Sequence, residues 1–337
     1  MSNDPGRMDE NKHRLRHALT GPGAGVAIFL VLVCAVMGVV SPVFLSWINF
    51  RNVMNQSVFN MILAVGMTVV LIGGGIDLSV GAVVGLSAGV SAWLINVPGL
   101  PLPLALLAGL IVGTSLGLLN ALIILRLRIP DFIATLAMLG FASGILYVWT
   151  NGVPFIGYAG PDYTLIGGLR RWFWWITVPE VVALVVIVAS IVLVKSTRFG
   201  RHLRASGENA EVARLSGVNV VRMKFTIYAL SGFLAALVGV LLAGRLTTVQ
   251  PNLGLGMELN ALAAAIMGGA ALTGGRGSIM GAVLGALTLT VIQNLINLLG
   301  VQPAWETFSV GCIIILVTML SRLSELAGQS GSPRMAA

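Results

Sequence analysis

Long apolar runs, separated by short polar or glycine-rich breaks, fill most of the chain. A helix that crosses a bilayer needs roughly 20 consecutive apolar residues, and ten runs approach that length. The pattern predicts an all-α membrane protein, a polytopic bundle of about ten transmembrane helices. The predicted spans cover residues 24–47, 53–72, 78–97, 102–125, 129–150, 176–194, 225–244, 257–273, 278–299 and 305–321.

This pattern divides the chain into a polar arm at 1–23, a membrane domain at 24–321 and a tail at 322–337. The composition agrees, because 57% of the 337 residues are hydrophobic and only 9% are charged, which no soluble domain requires. Both cysteines, Cys34 and Cys312, fall inside apolar runs and indicate no disulfide framework. The first run is longer than the apolar core of a secretory signal, so we interpret it as a retained span.

The placement of the basic residues predicts the orientation. If the N-terminus is cytoplasmic, sixteen of the twenty Lys and Arg lie inside and four lie outside, as the positive-inside rule expects. The net charge of +8 therefore reflects membrane orientation and no nucleic-acid partner. All seven Trp then fall at the outer ends of spans. Both termini are predicted to be cytoplasmic, and the glycine-rich loop 151–175 is predicted to be external.

The longest polar stretch inside the membrane domain is Lys195–Lys224, which holds seven of the twenty basic residues. It must lie in water, and it is too short to be a domain. Its middle is predicted to be a short helix with Glu208 and Glu211 in the first turn and Arg214 near the end, each favourable to the helix dipole. Gly217 is a natural C-terminal stop.

An internal repeat relates spans 2–3 to spans 8–9. Residues 60–86 match residues 260–286 without gaps at nine identical positions, which include Asn60 and Asn260. Each copy holds two glycine-interrupted spans around a tight inner turn, the typical sequence sign of a transport pathway. In this topology the repeat is parallel. An odd number of miscounted spans between the copies would make it inverted, and the inner turns could also be re-entrant.

Polar side chains inside the spans have two interpretations. Amides suit sugar hydroxyls because they both donate and accept hydrogen bonds, but they also join helices to one another. Asp77 and Ser278 precede spans 3 and 9 as N-caps, and a salt bridge from Asp77 to Arg276 is the less favoured alternative. The candidate pathway residues are Gln56, Asn60, Asp77, Glu258, Asn260, Gln293 and Asn297.

Several of these stretches resemble one known family. Residues 211–217 are similar to the Glu-Ala-Ala-x-x-x-Gly signature of ABC importer permeases, with Val212 in place of the second family residue, usually Ala. Residues 74–81, 253–259 and 268–277 resemble motifs of the ribose/xylose/galactose class, a group of binding-protein-dependent permeases of the bacterial inner membrane. The resemblance covers roughly residues 50–320. It implies a coupling helix in which Glu208, Glu211, Ala213, Arg214 and Gly217 meet an ATPase.

The resemblance also implies the partners. It predicts a separate ATP-binding ABC subunit that uses ATP and Mg, a periplasmic substrate-binding protein, a second permease copy or a homologue, and membrane lipid. The chain has no Gly-x-x-x-x-Gly-Lys-Ser/Thr phosphate cradle, so we predict a transport subunit and not an enzyme, with no bound cofactor and no metal site. The alternative is an ion-gradient-driven secondary transporter with membrane acids as coupling sites.

Overall fold

The computed structural model describes residues 24–96, 99–156, 160–172, 175–302, 304–305, 307–316 and 319. The predicted arm and tail, and the end of the tenth predicted span, lie outside these residues. Two strands, β1 at Phe155–Ile156 and β2 at Thr248–Val249, pair antiparallel. The helices are α1 Ala24–Val40, α2 Trp47–Ile72, α3 Val80–Asn96, α4 Leu102–Leu127, α5 Asp131–Trp149, α6 Pro161–Ile166, α7 Val178–Ser196, α8 Arg198–Glu208, α9 Ala210–Leu215, α10 Val220–Leu246, α11 Met257–Met267, α12 Ile279–Leu298 and α13 Thr307–Leu316.

Six of the described helices are long and apolar enough to cross a membrane: α2, α4, α5, α7, α10 and α12. Four shorter apolar helices of 10–17 residues, α1, α3, α11 and α13, occupy the other predicted runs. The all-α membrane class agrees with this architecture. The number of ten spans stays a prediction, because the four shorter helices are below the roughly 20 residues of a full crossing.

Several predicted boundaries are wrong, and α10 begins at Val220 where the predicted span began at 225. The first helix ends at Val40, and the Ser46 hydroxyl accepts a hydrogen bond from the Asn49 N–H, so that α2 begins at Trp47. Helix α11 ends at Met267, because Gly268 closes it and Gly269 follows with a φ of 89°. The predicted span 257–273 is therefore only 11 residues of helix.

Helix α2 is the centre of the bundle. In its most apolar stretch 89% of the residues are buried, compared with 67% in α10 and α12 and 28% in α4, α5 and α7. The last three helices therefore form the periphery. Helix α10 lies close to α3 and α4, because a side chain on Gly117 would meet the Tyr228 carbonyl and one on Gly239 would meet the Val84 carbonyl. Small residues permit such close helix packing.

The helices share two recognisable ends. At one, called here the tryptophan end, Trp47 packs edge-on to Trp175 at 5.8 Å and Trp93 packs edge-on to Trp149 at 5.5 Å. The strand pair and α6 close this end, where Tyr163 is fully buried beside the Ser91 hydroxyl. The described part of segment 151–175 is therefore held against this end by the strand pair and by α6.

The opposite end is called here the loop end. It gathers the turn after α2, the start of α5, the α8–α9 segment and the turn after α11. These are the connections after predicted spans 2, 4, 6 and 8, so their common location agrees with the alternation of the predicted topology.

The proposed repeat has one local counterpart and two differences. Gly74 and Gly274 both adopt positive φ, 69° and 88°. However, α2 has 26 residues where α11 has 11, and α3 has 17 where α12 has 20. The repeat therefore stays a prediction.

Candidate functional site

The segment that the sequence marked as a coupling loop contains two helices, α8 and α9. Glu208 is the last residue of α8, so its predicted place in the first turn of a single helix is wrong. The break is caused by Asn209, whose side-chain oxygen accepts hydrogen bonds from the Glu211 and Val212 N–H groups, both at 3.0 Å. An N-cap of this kind satisfies donors that a helix start otherwise leaves unpaired.

Helix α9 ends at Leu215, and Gly217, the predicted C-terminal stop, follows the cap residue with a φ of 85°. The Gly217 N–H donates to the Arg214 carbonyl and the Val218 N–H donates to the Ala213 carbonyl, both at 3.0 Å. This is the bond pattern of a Schellman stop, in which glycine is favoured.

The two charged residues of α9 pair with each other on its surface. Arg214 donates to Glu211 at 2.6 Å, and this hydrogen bond together with the positive charge lowers the pKa of the Glu211 carboxyl. Ala213 is buried against the rest of the loop end, whereas Val212 and Leu215 are 57% and 77% exposed. Helix α9 therefore presents both an ion pair and apolar side chains outward.

Gly207, near the end of α8, lies directly against two glycine turns. A side chain there would meet the Ile72 carbonyl and would lie 2.8 Å from the Gly275 nitrogen. These two groups form a hydrogen bond of 2.9 Å, which joins the turn after α2 to the turn after α11. A Cβ on Gly74 would lie only 3.3 Å from the Gly207 Cα, so the packing is of backbone against backbone.

Lys224, at the other end of the polar stretch, contacts the same turn. Its ammonium group donates to the Gly74 carbonyl at 3.2 Å and pairs with Asp131 at 2.5 Å. Tyr228, one helical turn further on, donates to the same Asp131 oxygen at 2.7 Å and lies 3.2 Å from the Ile76 carbonyl. No local sequence pattern indicates this cluster, because Lys224 is 150 residues from Gly74 and 93 residues from Asp131 along the chain.

Asp77 is almost completely buried, with 1% of its surface exposed. One carboxylate oxygen accepts from the Ser79 N–H at 3.0 Å and from the Ser79 hydroxyl at 2.6 Å, and the other accepts from Ser231 at 2.7 Å. The predicted N-cap role of Asp77 is wrong, since α3 begins three residues later at Val80 and Asp77 closes the turn before it. Among the described residues Asp77 forms no ion pair, and Arg276 is exposed.

Ser278 does cap α12, because its hydroxyl accepts from the Gly281 N–H at 3.1 Å. Asn120 extends the buried network around Asp77, since its amide donates to the Ser79 hydroxyl at 2.8 Å.

The predicted pathway residues lie in several different environments. Asn60 is buried and donates to Thr290 at 3.0 Å, joining α2 to α12. The buried Glu258 carboxylate accepts from the Gly256 N–H at 3.0 and 3.1 Å, at the start of its own helix. Gln293 is buried, Gln56 and Asn260 are half-buried, and Asn297 is exposed.

An amide pair outside the predicted set links α2 and α12 a second time. Asn49 and Asn294 donate to each other's side-chain oxygens at 3.0 and 2.8 Å. In the described part of the chain, no three His, Cys, Asp or Glu lie close enough together to hold a metal ion. The buried asparagines Asn49, Asn60 and Asn294 thus link α2 to α12.

The sequence matches the family described as "Branched-chain amino acid transport system / permease component" over residues 49–318. The chain belongs to this permease family. The permease is 39% identical to the ribose import permease protein RbsC of Bacillus subtilis, over 90% of this chain and 92% of that protein. It is 36% identical to RbsC of Escherichia coli K12, over 88% and 93%. It is 34% identical to the galactose/methyl galactoside import permease protein MglC of Haemophilus influenzae, over 88% and 94%. No solved structure matches the permease.

Proposed function

We propose that this permease is the membrane-spanning subunit of an ATP-driven, binding-protein-dependent ABC importer that carries a sugar or a sugar-like solute into the cytoplasm. The names of its relatives support ribose and galactose as the first solutes to test. It would lie in the bacterial inner membrane as a multi-pass protein with both termini in the cytoplasm.

The observation that carries the proposal is the outward presentation of α9 at the loop end. An ATPase that binds there would meet the exposed Val212 and Leu215 side chains and the Glu211–Arg214 pair. Isolated surface ion pairs contribute little to stability, so this pair is free to serve recognition. ATP and Mg would be used by that partner, and the permease would transmit its movement.

A periplasmic substrate-binding protein would deliver the solute at the tryptophan end. A second copy of the permease, or a homologue, would complete the pathway. A homodimer and a heterodimer are both compatible with this chain. The solute would pass where the amides of α2, α11 and α12 approach the second permease.

The alternative, an ion-gradient-driven transporter of a small polar solute, needs carboxylates that can bind and release an ion. Three acids in the part of the bundle that the structure describes are already engaged by other groups. Asp131 pairs with Lys224, Glu258 accepts from the Gly256 N–H, and Asp77 accepts from two serines. These contacts favour the ATP-driven importer.

Reconstitution in proteoliposomes tests the proposal. The permease is purified together with its ATPase and binding protein, and uptake of labelled ribose and galactose is measured with and without ATP. We expect uptake only with ATP and the binding protein. Uptake by the permease alone, driven by a proton or sodium gradient, would instead establish the secondary transporter.

A further inference from the structure

We propose that the cytoplasmic loop moves the membrane domain through two contacts with the turn after α2. Gly207 and Lys224 make these contacts, which are together called here the grip. This inference rests on the proposed function and names the positioning residues through which α9 acts. A helix that docks an ATPase can drive transport only if something connects it rigidly to the spans.

Helix α9 itself has little hold on the membrane domain. It contacts α8 before it and the start of α10 after it. Its outer side chains, Val212 and Leu215, face away from the bundle. Movement of α9 must therefore pass through α8 on one side or through the first turn of α10 on the other.

The α8 route ends at Gly207. Its backbone packs on the hydrogen bond between the Gly275 N–H and the Ile72 carbonyl, where no Cβ fits. Because this bond joins the turns after α2 and α11, one contact reaches both. Close-packed interiors transmit small displacements, so a shift of α8 moves both turns together.

The α10 route ends at Lys224. Its ammonium group donates to the Gly74 carbonyl and pairs with the Asp131 carboxylate. Only 17% of the Lys224 side chain and 20% of the Asp131 side chain are exposed. A partly buried charged bond is stronger than a neutral one and resists separation. The turn is thus held from the start of α10 as well as from α8, and it directly follows α2, the most buried helix.

Two variants test the grip in the complete transporter, each with a matched control. Gly207→Ala adds one methyl group at the backbone contact, and Gly140→Ala adds the same group where nothing lies within 4 Å. Lys224→Met removes the ammonium group, and Lys195→Met removes the same group from an exposed position at the opposite end of the loop. Ribose uptake, ATP hydrolysis and co-purification of the ATPase are measured in each.

We expect Gly207→Ala and Lys224→Met to keep the ATPase bound and hydrolysing ATP while the maximal uptake rate falls by about 2- to 30-fold, the range known for residues that modulate coupling between sites. The KM for ribose stays at the parental value, since neither residue lies among the pathway candidates. Both controls transport at the parental rate.

Parental uptake in both test variants, with the ATPase bound, would overturn the grip. So would loss of ATPase binding in Lys224→Met, because the lysine would then belong to the docking surface. If Gly207→Ala fails to reach the membrane, Lys224→Met alone decides. Uptake by the parental permease alone, driven by an ion gradient without ATP, refutes the importer itself, which distinguishes that failure from failure of the grip.

Discussion

The reciprocal amide pair between α2 and α12 gives the sharpest test of how the bundle is held together. Asn49 and Asn294 exchange two hydrogen bonds, and only 4% and 8% of these residues are exposed. Asn49 also donates to the Phe44 carbonyl at 3.0 Å, which fixes the turn before α2. The perturbation is replacement of each asparagine by leucine, singly and together.

Each single replacement removes both bonds and leaves the partner amide buried without its bonding partner. An unsatisfied buried polar group costs about 1 to 3 kcal/mol, so we expect each single variant to lose about that much stability. The double variant leaves no orphan amide. With about 0.6 kcal/mol for an average interhelical bond in a membrane, the two bonds predict a coupling energy of about 1 kcal/mol.

The assay is reversible unfolding of the purified permease in mixed detergent micelles, analysed as a double-mutant cycle. Asn297→Leu, an exposed asparagine on the same helix, is the control and should change the stability little. Additive losses, with a coupling energy near zero, would refute the reasoning, because the two amides would then not stabilise each other across the helices.

Four further predictions concern function and topology. Gly217→Val should abolish ATP-driven uptake while the permease stays in the membrane, because the φ of 85° at this position strains a branched side chain. Parental uptake in this variant would contradict the assignment of a coupling helix. Glu211→Ala should weaken co-purification of the ATPase. In a cysteine-free background, an impermeant maleimide on intact cells should label cysteine at Asp162 and not at Ser216, both exposed positions; the reverse result inverts the orientation. Asn60→Leu should lower the uptake rate, and unchanged uptake would leave this residue a packing role alone.

The local signals of the loop were partly sufficient to predict its structure. Gly217 ends α9 as its sequence indicated, because a left-handed stop is a property of the residue itself. Asn209 was overlooked, although asparagine is a preferred N-cap, and the loop therefore forms two helices where one was predicted. For the same reason, Glu208 is the last residue of α8 and does not lie in the first turn of the coupling helix as predicted.

The candidate pathway was less predictable. The sequence selected Asn60 and Gln293 as polar residues in apolar spans, and both are buried. It could not show that Asn60 bonds to Thr290, since the partner is 230 residues away. Asp77 was placed as a cap by its position before a span, but its neighbours in the fold are Ser79 and Ser231.

The sequence by itself determined the membrane class, the places of the apolar helices and the polar loop, because hydrophobic periodicity and the cost of charge in lipid act over short stretches of chain. Only the tertiary structure decided which helix is central and where the backbones meet. Gly207 on the Ile72 carbonyl and Lys224 on the Gly74 carbonyl join segments more than 130 residues apart. Such contacts depend on the packing of whole helices, and no local pattern encodes them.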